Sequence, residues 1–452
     1  MYIYVGIIIS ILFVIINYML SDYDVFNPAC LYSAMNLACT IMCLLLKNEY
    51  AIELHGNTIA VLFVGLLAFT TTNILTRKIR KKGQTSICFK FQYIYIESIW
   101  IVIFLILEAL VAYFTLKYVV SVSTKIFGSA TSISEHIGNY NHAIKFMTEQ
   151  FSNSGVSQNI VMKVGTPICN AFTYVLIVIE LNNYQAKKKL DKIIVIAIIV
   201  TIIISVFTGS RSAAFRYITA LIAGRIIILR RANGSYKKGN VKILFKVLFI
   251  IILVAVLTLE TRALIGRSTT FDATWYRAIF PYFGSPIVNL DMYLNNDIQY
   301  HSTVFGEQTF YHLLTYIGNH LNIDSLKNIA LHLPFLTSNG ISTGNVYTMY
   351  YMFIEDFGYL GVPILSFMVA WYYCDSYSKL MRLYSRKKVI NFRFFLYIYM
   401  FNSLVMLTFS NRFYEHMFNV SIWKMLILVS IMWKFVEKGW LSGRIKFAGK
   451  HI

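Results

Sequence analysis

Long apolar runs constrain this chain more than any other feature of its sequence. Stretches of about 17 to 23 apolar residues recur from end to end, each able to cross a ~30 Å hydrocarbon layer as a helix. They lie near 1–20, 29–46, 57–76, 94–116, 162–181, 193–208, 212–229, 241–259, 358–374, 392–409 and 418–436, which predicts eleven spans. The run from Met1 to Leu20 has no basic residue before it and no small-residue cleavage site, so it is expected to stay as a helix. Of the 452 residues 57% are hydrophobic and only 14% charged. A soluble domain carries about 25% charge, so a cytosolic enzyme and a disordered chain are both excluded. The expected fold is an all-α polytopic membrane protein, one domain over 1–452.

Charge then predicts orientation. The net charge is +20, and five clusters hold most of the 41 Lys and Arg. They are Arg77–Lys90, Lys187–Lys192, Arg225–Lys246, Lys379–Arg393 and Lys434–Lys450. Eleven alternating spans place all five on one side, which the positive-inside rule makes the cytoplasm. The C-terminus then lies inside and the N-terminus outside. An excess of this kind reads as topology, and nucleic acid is not an expected partner. The six cysteines have neither zinc spacing nor a disulfide framework and read as small core residues.

Two expected outer segments exceed turn length: 117–161, and 260–357, the latter about a hundred residues, long enough to suggest function rather than connection. Within the second, Gly306–Leu321 and Gly344–Phe357 carry apolar residues at helical spacing and predict short helices lying on the outer face, capping the bundle.

Chemistry is sparse inside the spans. Glu97, Glu108, Arg216 and Lys424 are too few and too scattered for a proton relay, and structural pairing of Glu108 with Arg216 or Lys424 is the expectation. The outer side is richer. Arg211 sits in the tight turn Thr208-Gly209-Ser210-Arg211-Ser212, where a helix begins; Arg262, Arg267 and Arg277 follow the eighth span; Arg412 follows the tenth. A guanidinium grips phosphate oxygens with a planar fork of donors, and a helix N-terminus favours an anion. Glu355-Asp356 closes an aromatic stretch in which Tyr347, Tyr350 and Tyr351 offer flat faces for sugars, so either acid is a candidate general base. His416, beside Glu415 and four residues from Arg412, is a third. Asp22-Tyr23-Asp24 has the D-x-D form of metal-using glycosyltransferases but falls on the basic side. No histidine pair has metal-site spacing, and no P-loop, G-x-S-x-G or G-x-G-x-x-G is present, so no metal or cofactor is expected.

Together these features resemble the bacterial oligosaccharide repeat-unit polymerases, the O-antigen and capsule polymerases. The likeness rests on the multi-span bundle and on three stretches. These are Thr208–Ala213, Arg277–Pro286, and Asn345-Val346-Tyr347-Thr348 leading to Glu355-Asp356-Phe357-Gly358-Tyr359-Leu360-Gly361. The resemblance implies a GT-C-like bundle and a metal-independent, inverting glycosyltransferase in the bacterial inner membrane, with its site on the outer face. The donor would be a glycan on undecaprenyl diphosphate and the acceptor a repeat unit on a second such carrier, with a chain-length regulator as a possible partner. It implies a diphosphate-binding role for Arg211 by matching position, and for Arg262, Arg267 and Arg277 by loop. An O-antigen ligase, and a repeat-unit flippase or exporter, are the alternatives.

Overall fold

The structure is a computed structural model that describes residues 1–77, 88–235, 275–296, 302–327, 329, 331–382 and 388–442, without the side chains of 145, 146, 148, 149 and 275–278. The described chain is mainly helical. Its helices are α1 (Tyr2–Leu20), α2 (Pro28–Leu45), α3 (Gly56–Arg77), α4 (Ser98–Phe127), α5 (Ile133–Phe146), α6 (Thr148–Asn153), α7 (Ile160–Lys187), α8 (Lys192–Ile204) and α9 (Ser212–Asn233). After residue 274 come α10 (Trp275–Phe283), α11 (Ser285–Asn295), α12 (Tyr311–Leu321), α13 (Asp324–Lys327), a hairpin of β1 (Leu336–Ser338) and β2 (Ile341–Gly344), and α14 (Met349–Phe357). α15 (Gly361–Leu380), α16 (Phe392–Val405), α17 (Arg412–Met417) and α18 (Val420–Glu437) complete it.

Seven described helical segments are long and apolar enough to cross a membrane, α14 and α15 counting as one continuous stretch, so this is an all-α membrane protein. Seven, where eleven were expected, has a simple cause. α8 and α16 are apolar but short, α18 carries Lys424, Lys434 and Glu437, and the expected span 241–259 lies outside the described residues.

The helices are inverted relative to those of a soluble protein. α1 has a mean hydropathy of 2.5 over its apolar window, yet only 28% of that window is buried. Ile8, Leu12, Ile15 and Met19 point outward, while Ser10 and Asn17 turn inward at helical spacing. Asn17 donates to Ser33 Oγ (3.1 Å) and Thr70 Oγ1 (2.9 Å). Asn27 Nδ2 donates to Asn73 Oδ1 (3.2 Å), and Asn73 donates to Ser21 Oγ (3.1 Å). Lipid is as apolar as leucine, so side-chain hydrogen bonds and close packing hold α1, α2 and α3 together. Helix starts are capped in the usual way: Asn27, Asn159, Asp191, Asn391 and Asn419 each accept a backbone N–H of the first turn.

One end of the bundle collects described members of the basic clusters. Arg77 pairs with Asp22 (3.2 Å), Arg225 donates to Gln185 (3.0 Å), Lys187 lies over the Tyr93 ring (3.5 Å), and Lys388 pairs with Glu437 (3.1 Å). Asp24 and Arg230 form a fully buried ion pair, to which Tyr377 adds a hydroxyl bond to Asp24 Oδ2 (2.8 Å). The D-x-D stretch is therefore a staple between α1, α9 and α15.

The opposite end is covered by the described residues of 302–357. Ser338 Oγ donates to Tyr50 O (2.5 Å), Asn339 Nδ2 to Glu49 O (2.9 Å), Asn289 Nδ2 to Val346 O (2.9 Å), and Met349 N to Leu407 O (3.1 Å). Asp291 ties α11 to the start of α3 by accepting from His55 N and Thr58 Oγ1 and meeting His55 Nδ1 at 2.8 Å. α12 is mostly half-buried, whereas α14 is not the surface-lying helix that was expected. Met349–Phe353 are almost fully buried, because α14 plugs into the bundle as a continuation of α15. Tyr350 reaches Tyr32 hydroxyl to hydroxyl, passing over Gly65. A Cβ on Gly65 would lie 1.7 Å from the Tyr350 oxygen. Gly65→Val is therefore expected to destabilise the protein by about 1–3 kcal/mol through overpacking, read as a lower unfolding midpoint in detergent.

Candidate functional site

The site lies at the covered end, where the chain between α16 and α18 folds back into the bundle. Phe413 packs against Tyr372 and Tyr373 (ring centroids 5.3 and 5.6 Å), and Tyr414 Oη donates to Leu365 O (3.1 Å). This hook carries Arg412, Glu415 and His416 below the level of the cap.

Arg216, in the second turn of α9, faces the hook. Its Cζ is 6.0 Å from the Tyr399 ring centroid, and Tyr399 is in turn 6.1 Å from the His416 ring. Tyr174 closes the other side, 5.5 Å from Tyr399 and 5.3 Å from Tyr217. Among the described residues Arg216 forms no ion pair with a carboxylate. The expected pairing with Glu108 is absent: Glu108 accepts from Thr201 Oγ1 instead, and Lys424 is exposed. Arg412 Nη1 meets Glu415 Oε2 at 2.7 Å and is 40% exposed. His312, half-buried on α12, lies within electrostatic reach of both. Burial lowers its pKa and the Arg412 charge lowers it further, while Glu415 opposes them.

His416 meets Ser403 Oγ through Nδ1 (2.8 Å) and is 9% exposed. Burial, then the charges of Arg216 and Arg412 and the neighbouring His312, push its pKa down to about 3. A catalytic base works best with a pKa near the operating pH, so this environment disfavours His416 in the role of base expected for it. The folded pKa is below the unfolded 6.5. The stability this group contributes is thus complete above pH 6.5 and is lost as pH falls toward 3. His416→Gln is expected to flatten the fall of the thermal midpoint between neutral pH and pH 4.

Arg211 is at the same end. Its turn is held by Asn141 Nδ2 donating to Gly209 O (2.5 Å), and Gly209 has φ +71° with Asn141 pressed against it. Arg211 Nε and Nη2 are shielded from solvent. Arg211 and Arg216 are about 7.5 Å apart along the helix axis but on different faces, since five residues turn the helix by roughly 140° beyond a full turn. Of the loop arginines, Arg262 and Arg267 lie outside the described residues. Arg277 is on α10, whose Tyr282 stacks on Phe409 just before the hook (5.7 Å); its side chain is not described.

The acids and tyrosines predicted from the aromatic stretch sit elsewhere. Asp356 accepts from Ser302 Oγ (2.6 Å), Gln308 N (3.0 Å) and Thr309 N (2.5 Å), so it fastens the start of the cap. Asp356→Asn turns a donor toward those amides. It is expected to cost about 1–3 kcal/mol, seen as faster hydrogen exchange at Gln308 and Thr309. Glu355 is buried against Tyr293, whose phenol is pushed up by burial and by the Glu355 carboxylate. Tyr347 and Tyr351 are stacked on each other (4.3 Å), with their hydroxyls donating to Pro334 O (2.9 Å) and His332 O (2.6 Å). With Tyr350 in the bundle core, all three tyrosines are packing residues, and an open sugar platform is not formed by them.

Arg216 and His312 were not among the predicted site residues. The signal for Arg216 was its position, a guanidinium one turn inside an apolar helix that also begins with Arg211. His312 had no local signal; only packing brings it to Glu415 and Arg412. The structure thus brings Arg216, Arg412, Glu415 and His312 within electrostatic reach of one another or of His416, while Asp356 is engaged by the amides of Gln308 and Thr309. Compared with protein-family models, curated proteins and solved structures, the chain finds no match.

Proposed function

We propose that this protein is a glycosyltransferase of the repeat-unit polymerase kind, extending a glycan carried on undecaprenyl diphosphate in the bacterial inner membrane. In this reading the chain crosses the membrane eleven times, the basic end is cytoplasmic, and residues 260–357 cap the outer end. The observation that carries the reading is the half-buried Arg216, with no carboxylate partner among the described residues and a second arginine, Arg412, close enough to act on the same histidine. A cation taken out of water without a counter-ion is costly, and an anionic ligand would offset that cost.

A lipid diphosphate fits. As the bond between the sugar C1 and the phosphate oxygen breaks, negative charge grows on the departing diphosphate, and Arg216 and Arg412 are placed to stabilise it. The acceptor hydroxyl attacks C1 from the opposite face, inverting it, and gives its proton to His312, which is half-buried and held near Glu415. No step requires a metal. Depth also fits, since both substrates are anchored by lipid and the hook holds the locus within the bundle end.

The test is reconstitution of the purified protein in vesicles with a lipid-linked repeat unit as donor and acceptor. Products lengthened by whole repeat units support the proposal. Transfer only to a lipid A core would make it a ligase, and movement of the lipid-linked unit between leaflets without a new glycosidic bond would make it a flippase; either result defeats it.

A further inference from the structure

The basic end holds a second feature that the glycan chemistry does not use. A cavity of about 540 Å³ opens between the ends of α9, α15 and α16, lined by Arg231, Lys379, Arg382, Lys388 and Arg393 together with Phe392 and other residues. Topological charge alone does not account for it. Residues that only mark the cytoplasmic side can remain in water, whereas Arg231 is 3% exposed and Arg382 Nε is buried with no hydrogen-bond acceptor among the described residues. An unsatisfied buried guanidinium nitrogen is costly, and a bound acceptor would remove the cost.

The charges at the rim are unbalanced. Lys379 is paired with Asp375 (2.7 Å) and Lys388 with Glu437 (3.1 Å), but Arg382 and Arg393 have no carboxylate partner among the described residues. The 14-residue helix α16 begins at the same wall, at Asn391, adding the positive end of its backbone dipole. One wall is apolar: Phe392 is 44% exposed and stacks on Trp423 at 6.4 Å.

We propose that this cavity is a binding site for a phosphate group, separate from the site at the other end. Planar guanidinium forks match phosphate oxygens, and the volume falls within the ~300–1,000 Å³ of small-molecule sites. The exposed Phe392 wall suits a phosphate that arrives on a lipid; a free phosphate or diphosphate has the same oxygen chemistry without the chain.

The experiment is native mass spectrometry of the full-length protein in detergent, titrated in separate arms with phosphatidylglycerol, phosphatidylcholine and inorganic pyrophosphate. Arg393 is exposed, so Arg393→Gln leaves the fold intact and serves beside Arg382→Gln, with circular dichroism melts as the folding control. The expected result is preferential retention of phosphatidylglycerol over phosphatidylcholine, weakened about tenfold in each variant, the size expected of one charged hydrogen bond. Retention of pyrophosphate, lost in the same variants, with no preference between the two lipids, would assign the site to a soluble phosphate. Equal retention of all probes by the wild type and the Arg393→Gln protein would overturn the proposal.

Discussion

Arg216→Ala is expected to lower the rate of the proposed glycan extension by about 10²–10³-fold, the scale seen when one preorganised donor to a developing negative charge is removed. The fold should hardly change, because Arg216 is half-buried and its described contact is a 6.0 Å approach to the Tyr399 ring. Arg216→Lys keeps the charge and loses the planar fork, so partial activity should return. Rates in reconstituted vesicles, together with unfolding midpoints for each variant, check the prediction. A wild-type rate in a well-folded Arg216→Ala protein would remove the basis for placing the leaving group here. Arg412 should matter less, since Glu415 already shares its charge and it is more open to solvent.

The largest stability effect is expected at the other end. Arg230 and Asp24 have fully buried side chains, and the pair is completed by Tyr377. Arg230→Ala leaves an uncompensated carboxylate among α1, α9 and α15, and removing one partner of a buried pair costs about 3–5 kcal/mol. Replacing both with apolar groups, Asp24→Leu with Arg230→Met, removes the stranded charge, so the double variant should be more stable than Arg230→Ala alone. Denaturant midpoints of the wild type, Asp24→Leu, Arg230→Met and the double variant give the coupling. If the double variant is the least stable of them, the pair contributes net stability in its own right, and burial of an unpaired charge is not the governing effect.

Much of the architecture was legible because hydrophobic runs report directly on membrane helices. α1, α2, α3, α7 and α9 fall close to their expected positions, since each is apolar over a full bilayer thickness, and α4 continues past its expected end at 116 to Phe127. The rule is less exact at α16, which ends at Val405, short of the expected 409, before turns and the polar pair Asn411-Arg412. Apolarity measures affinity for a dry environment, and the interior of a bundle is as dry as lipid. The ambiguity explains α14 as well: Tyr347, Tyr350 and Tyr351 look like an interfacial belt in the sequence and are core residues in the fold. The candidate site was legible in kind, arginines at helix ends, but not in membership. Arg216, Arg412 and His312 come from α9, α17 and α12, and no local pattern encodes a meeting of three distant segments. The letters alone do not reveal that Asp356 accepts the amides of Gln308 and Thr309 or that Glu355 is buried against Tyr293.

The inward-facing amides and hydroxyls of α1, α2 and α3 have a practical consequence. Water is already absent around these helices before they associate, so its expulsion contributes little to their union, and the first three helices stay together through a handful of Asn, Ser and Thr contacts. Extraction into a surfactant with a plain hydrocarbon interior leaves that network undisturbed. Short-chain alcohols, which partition to the same depth and carry their own hydroxyls, compete for it directly and should loosen the N-terminal trio first.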